Sequence, residues 1–182
     1  MDPVFAILVR ILFALLFISA AVSKFDTPRF RAILDAYRLL PPRLAAFTAR
    51  WLPGLELTMG LAWAAGVFPA VVVIASETLL AIYGLAIAIN LLRGNSNIDC
   101  GCGFGSSGQQ LSWGLVLRNL ILIAIAGSGL LATTQRSLVL VDYFTVVTAV
   151  LAALLLYGAC RQLLANSQAM VIWLVIDSRS AR

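Results

Sequence analysis

The sequence predicts an all-α fold: a polytopic transmembrane bundle of about five spans, with one amphipathic helix lying in the membrane interface. Three observations predict it. Of 182 residues, 62% are hydrophobic and only 12% charged, whereas a soluble domain is about half apolar and a quarter charged. The apolar residues gather in runs of about twenty, the length that crosses a hydrocarbon core. Such runs must be helical, because lipid offers backbone groups no hydrogen-bond partner. Residues 1–182 therefore read as one integral-membrane domain. No polar segment is long enough for a separate soluble enzyme domain. The basic residues are scattered through short loops, which leaves nucleic-acid binding without a footprint.

The first span covers residues 3–22. Ala21-Val22-Ser23 resembles a signal cleavage site, but no Lys or Arg precedes the apolar run and Arg10 interrupts it, so it reads as a retained span. Residues 24–44 hold the interfacial helix. Thr27 is placed to cap it and Pro28 suits the first helical position. Phe30, Ile33, Leu34 and Tyr37 follow helical spacing, while Arg29, Arg31, Asp35 and Arg38 take the other face, and Pro41-Pro42 is expected to end it. It reads either as a simple anchor or as a cover over the loop that follows the third span.

Residues 45–92 are too long an apolar run for one helix. Gly66-Val67-Phe68-Pro69 is the natural break, giving spans at 45–66 and 69–92. A fourth span is expected over 112–132 and a fifth over 138–163. The apolar stretch from Met170 to Ile176 is too short to cross. Counting spans places 24–44, the loop 93–111 and the C-terminus on one face. That face carries ten basic residues, among them Lys24, Arg43, Arg50 and Arg93, against little more than Arg136 on the other. The positive-inside rule would put it in the cytoplasm.

Charges within spans need a partner or a purpose. Arg10 and Glu77 sit at similar depth and offer one pair. Glu56 begins the second span and Arg118 lies about one and a half turns into the fourth, offering another, with Lys24 a rival partner for Glu56. These pairs either fix helix packing or support the site above them. Gly60 and Gly127-Ser128-Gly129 read as small-residue packing positions.

That site is the loop 93–111, with Cys100-Gly101-Cys102-Gly103-Phe104-Gly105. A disulfide across one intervening residue is strained and so easily reduced, which suits catalysis. The glycines allow another backbone to approach, and a buried Arg nearby would favour the thiolate. The chain has no histidine and three cysteines, so a full tetrahedral zinc set is lacking. Cu(I) held by Cys100, Cys102 and Cys160 stays open, as does a structural role. Cys160 alone reads as a packing residue.

Ser23-Lys24-Phe25, Phe30, Tyr37-Arg38-Leu39-Leu40-Pro41, Leu52-Pro53-Gly54-Leu55-Glu56-Leu57, Gly60, Asp99 to Gly105, Trp113 and Arg118-Asn119 form an ordered series. Over residues 4–165 it resembles the MauE family of methylamine-utilisation membrane proteins, related to the DoxX-like group. Gly103 departs from it: many relatives run straight from Cys to Phe. The resemblance implies a multi-pass protein of the bacterial inner membrane that serves maturation of the methylamine dehydrogenase small subunit by disulfide formation, processing or export. It implies a thioredoxin-like MauD partner and Cys100 and Cys102 as the redox pair. Arg118, Glu56 and Lys24 are inferred to support them. The loop would then be periplasmic, against the charge count. No cofactor or metal is expected, and a quinone acceptor has no visible site. The rival readings are a non-enzymatic scaffold or export factor and a small metal or solute transporter.

Overall fold

The computed structural model describes residues 2–67, 69–95, 98, 111–130, 139–152, 155 and 159. The chain divides into two compact units, Met1–Arg136 and Ser137–Arg182. All regular structure among the described residues is helical.

In the first unit, α1 spans Pro3–Lys24, and the Asp2 carboxylate caps it by accepting from Val4 N–H at 2.9 Å. Its 22 residues rise about 33 Å, enough for a hydrocarbon core. The interfacial helix is α2, Thr27–Tyr37, with Phe30 and Tyr37 buried, Ile33 and Leu34 half-buried, and Arg29, Arg31, Asp35 and Arg38 exposed. Two details differ from expectation. Asp26, not Thr27, is the cap, because a carboxylate one residue earlier reaches the Arg29 N–H. The helix stops at Arg38, left-handed at φ 51°, and Pro41-Pro42 instead open α3, where a missing N–H costs nothing.

Helix α3 therefore runs Pro42–Ala65, starting before the expected 45, and Glu56 lies fourteen residues inside it and not at its start. Gly66, at φ 67°, ends it, and the N–H groups of Gly66 and Val67 both donate to the Ala62 carbonyl, at 2.9 and 3.3 Å. Helix α4 is Pro69–Leu92, as the break at Gly66 required, and α5 is Trp113–Ser128 after an N-cap at Ser112. Helix α5 ends in a turn at Gly129 and Leu130, short of the expected 132, where the Gly129 N–H donates to the Ala126 carbonyl at 2.8 Å; residues 131–138 lie outside the description.

Helices α1 and α4 are long and apolar enough to cross a membrane, and only 28% and 33% of their most apolar windows are buried. The core helix of a soluble protein would be mostly buried, so this outward apolar surface favours a membrane setting.

Helix α1 packs antiparallel along α3, and α5 along α4. At the first contact, a Cβ on Gly60 would meet Ile18 N at 3.0 Å and the Ala14 carbonyl at 3.1 Å, so glycine sets both the closeness and the register. Phe13 stacks on Trp63 with centroids 4.9 Å apart, amid buried Val9, Phe17, Val73 and Leu80.

The expected Arg10–Glu77 pair is not made. A Cβ on Gly66 would fall within the Arg10 guanidinium, so that cation sits over the C-terminus of α3, where the helix dipole is negative. Glu77 Oε1 presses on Gly127 of α5, 2.9 Å from where a Cβ would lie.

In the second unit, α6 covers Leu140–Ala152, within the expected 138–163. Asp142 reaches back to accept from Val139 N–H at 2.9 Å, as in a capping box. Leu140, Val141, Phe144, Val147 and Leu151 of this helix are exposed. Residues 160–182, including Met170 to Ile176, lie outside the description.

Candidate functional site

Cys100, Cys102 and Cys160 lie outside the described residues. The described structure shows what holds the base of the loop and what lies in the bundle interior.

The chain leaves the description after Ile98 and returns at Leu111, and Leu111 N–H donates to the Ile98 carbonyl at 3.2 Å. The two shoulders of the segment 99–110 are thus joined. A small apolar cluster seats them. Tyr37 of α2, Ile87 of α4, Leu111 and Leu115 are buried together, with Ile33 and Ile98 packed against them. The apolar face of α2 therefore covers the base of the loop. That favours the cover over the simple anchor, and it follows from Ile33 and Tyr37 being one turn apart.

Lys24, Glu56 and Tyr83 meet in the interior. Lys24 Nζ donates to Glu56 Oε1 at 2.6 Å and Oε2 at 2.8 Å, and the Tyr83 hydroxyl donates to Oε1 at 2.6 Å. Glu56 is 0% exposed and Lys24 2%. A lysine at a helix end usually extends toward water. Here it folds back, its Nζ 3.5 Å from the Ala20 carbonyl, into a cage whose other walls are the rings of Tyr83 and Phe30, 5.2 and 5.7 Å away.

Arg118 is not the partner of Glu56. The register set at Gly60 brings the end of α1 beside Glu56, whereas α5 packs along α4, and Arg118 Nε is buried with no hydrogen-bond partner among the described residues. Of the three supporting residues expected, two meet and the third stands apart.

Sequence reasoning passed over several polar groups. Ser76, Tyr83 and Asn90 recur every seven residues on α4, a spacing that puts them on one side of the helix. Ser76 accepts from Trp63 Nε1 at 2.9 Å and donates to the Val72 carbonyl at 2.7 Å. Asn90 donates to the Ala86 carbonyl at 3.0 Å, while its Oδ1 and both amide atoms of Asn119 are buried without a partner among the described residues. The seven-residue repeat was the available signal. No group of three or more His, Cys, Asp or Glu that could hold a metal occurs among the described residues.

Two outward-facing apolar helices of spanning length, the buried Lys24–Glu56 pair and an amphipathic helix over a loop base fit a helical protein of membrane type. The model of the family "Methylamine utilisation protein MauE" matches residues 2–132, which takes in α1 to α5. The chain belongs to that family. The methylamine utilization protein MauE of Paracoccus denitrificans is 38% identical over 133 residues, covering 71% of this chain and 72% of that protein. The MauE of Paracoccus versutus is 34% identical over 126 residues, covering 69% and 68%. That of Methylorubrum extorquens is 38% identical over 130 residues, covering 71% and 69%. No solved structure matches the chain.

Proposed function

We propose that this chain serves methylamine utilisation as a multi-pass protein of the bacterial inner membrane. In this reading it exchanges thiols and disulfides through Cys100 and Cys102 while the methylamine dehydrogenase small subunit matures. The observation that carries it is the closed base under 99–110. The Leu111–Ile98 hydrogen bond and the seat formed by Ile33 and Tyr37 hold together the two points between which the segment with Cys100 and Cys102 runs. Family membership supports the methylamine context, and the one-residue Cys spacing supports an easily reduced pair.

The exchange balances without a cofactor. A substrate thiolate attacks one sulfur of the Cys100–Cys102 disulfide, forming a mixed disulfide and releasing the other cysteine as thiolate. A second substrate thiolate attacks the mixed disulfide. The substrate gains a disulfide and loses two electrons, and Cys100 and Cys102 take them up as thiols. A thioredoxin-like partner of the MauD kind, in its disulfide form, restores the pair by the reverse steps. The bundle would cross the membrane about five times with the loop in the periplasm, where the client subunit acquires its disulfides.

Trapping tests the reading. Cys100→Ser and Cys102→Ser should each abolish disulfide formation in the client, and one should accumulate a mixed disulfide with the partner. Normal client disulfides in both variants would refute redox exchange and leave the scaffold or export reading. Altered metal or solute uptake with client disulfides intact would instead favour a transporter. Labelling Cys100 with an impermeant thiol reagent from each side settles the orientation.

A further inference from the structure

The outer face of α3 has a graded chemistry that neither packing nor thiol exchange uses. Arg43, Phe47, Arg50 and Gly54 recur at intervals of four, three and four residues, so they form one strip along the helix. All four face outward, and Phe47 and Trp51 are each 61% exposed, too open to belong to the core. Their rings form a tilted pair with centroids 6.2 Å apart beside the two arginines. One turn deeper, a Cβ on Gly54 would meet nothing within 4 Å, which leaves a notch in the helix surface. Thr58 and Leu61 continue the strip, and the Thr58 hydroxyl is turned onto the Leu55 carbonyl, so no free polar group follows. Read inward from the start of α3, cations and rings alternate over the first turns, Arg43, Phe47, Arg50 and Trp51, and Gly54 and an apolar run follow.

Cations and rings together at one end and an apolar run beyond them match a phospholipid, whose phosphate and interfacial layer lie above its acyl chains. Neither arginine has a carboxylate within ion-pair distance among the described residues, and α2, packed against α3, exposes Arg29 and Arg31, with Arg38 at its C-cap. Aromatic rings at headgroup depth and arginines beside anionic lipid are the usual elements of interfacial attachment. We infer that Arg43 and Arg50, with Phe47, Trp51 and the Gly54 notch, bind one anionic phospholipid, the phosphate against the guanidinium groups and a chain along Gly54. The inference rests on the reading of α3 as membrane-embedded. It also gives the basic face of the chain a function in either leaflet, since bidentate phosphate contacts hold arginine wherever anionic lipid lies.

The test uses the full chain purified in mild detergent and offered equal amounts of phosphatidylglycerol and phosphatidylcholine, with retained lipid read by mass spectrometry. The wild type should prefer phosphatidylglycerol by about thirtyfold, some five- to sixfold per arginine. The Arg43→Gln/Arg50→Gln variant should show no preference. Gly54→Leu, which keeps both charges, should lower total retained lipid; all these positions are exposed, and an unchanged far-UV circular dichroism spectrum checks the fold. Equal retention of both lipids by the wild type overturns the inference. So does displacement of phosphatidylglycerol by inorganic phosphate at equal concentration, which would mark a free-anion site, or crosslinking of two copies through Gly54→Cys, which would mark a copy interface. A protein that stays dispersed without detergent would instead refute the membrane reading itself.

Discussion

Replacing Glu56 by Gln should be among the most damaging conservative changes in the bundle. The carboxylate is 0% exposed and receives Lys24 Nζ at 2.6 and 2.8 Å and the Tyr83 hydroxyl at 2.6 Å. Gln keeps the volume and one acceptor but leaves the Lys24 ammonium, itself 2% exposed, without a counter-charge. Removing one partner of a buried pair costs about 3–5 kcal/mol, because the other charge stays desolvated. Lys24→Met leaves the carboxylate equally stranded and Glu56→Met the ammonium, and each should cost about the same. Removing both charges at once, Lys24→Met/Glu56→Met, breaks only the hydrogen bond from the Tyr83 hydroxyl, a loss of about 1–2 kcal/mol. The cycle should therefore show a coupling of at least about 3 kcal/mol, the double variant being more stable than either single one. Unfolding of the purified protein by added SDS, followed by Trp fluorescence, measures all four corners, and Trp63 lies in the adjoining core. Single variants that each cost under about 1 kcal/mol, or costs that simply add, would refute the claim that the pair is desolvated.

The same assay serves the other predictions. Arg118→Met should cost less than Lys24→Met by about 2 kcal/mol or more, since Arg118 has no ion pair among the described residues; equal costs would restore Arg118 as a partner of Glu56. Gly60→Val should cost about 1–3 kcal/mol because its side chain meets α1 backbone, whereas Gly54→Ala, in open space, should stabilise by about 0.4–1 kcal/mol. Tyr37→Ala should unseat the loop base and speed hydrogen exchange at the Leu111 amide, with unchanged exchange arguing against α2 as the cover. Asn119→Leu should keep or raise stability, because it exchanges buried polar atoms without a protein partner for apolar volume.

The helices and turns were legible wherever local chemistry decides them. Pro69 after Gly66 fixes the start of α4, because proline cannot continue the preceding helix and glycine accepts the left-handed turn. The faces of α2 followed from spacing alone. The start of α3 did not, because Pro41-Pro42 can both stop one helix and open the next, and only the left-handed Arg38 shows that the stop had already happened. Charge pairing was half legible. Depth along a span brought Lys24, Glu56 and Arg118 to one level but could not say which helices touch. That depended on Gly60, whose missing side chain draws α1 against α3. Tyr83 escaped notice because a tyrosine in an apolar run carries no charge to explain.

The buried pair and the loop base are ends of one line of contacts, and this bears on why the chain keeps a costly charge pair in its interior. A buried ion pair is often no more stable than well-packed apolar side chains, so net stability is a weak reason for it. Position is a better one. Lys24 closes α1 three residues before α2 begins, and its ammonium lies under the Phe30 ring of α2 as well as against Glu56. The charge therefore fixes where α2 starts relative to α3. One and two turns further along α2, Ile33 and Tyr37 belong to the apolar cluster that takes in Ile98 and Leu111. An apolar residue at position 24 would be free to slide along α3 or turn toward lipid, because dispersion contacts have no preferred partner. A lysine in hydrocarbon has one acceptable partner, and Glu56 supplies it. On this argument Lys24 and Glu56 bear on the loop base at Ile98 and Leu111 by holding α2 in place. The double apolar variant should then recover stability yet still show faster exchange at Leu111 than the wild type. Recovery of both together would mean that packing alone orients α2.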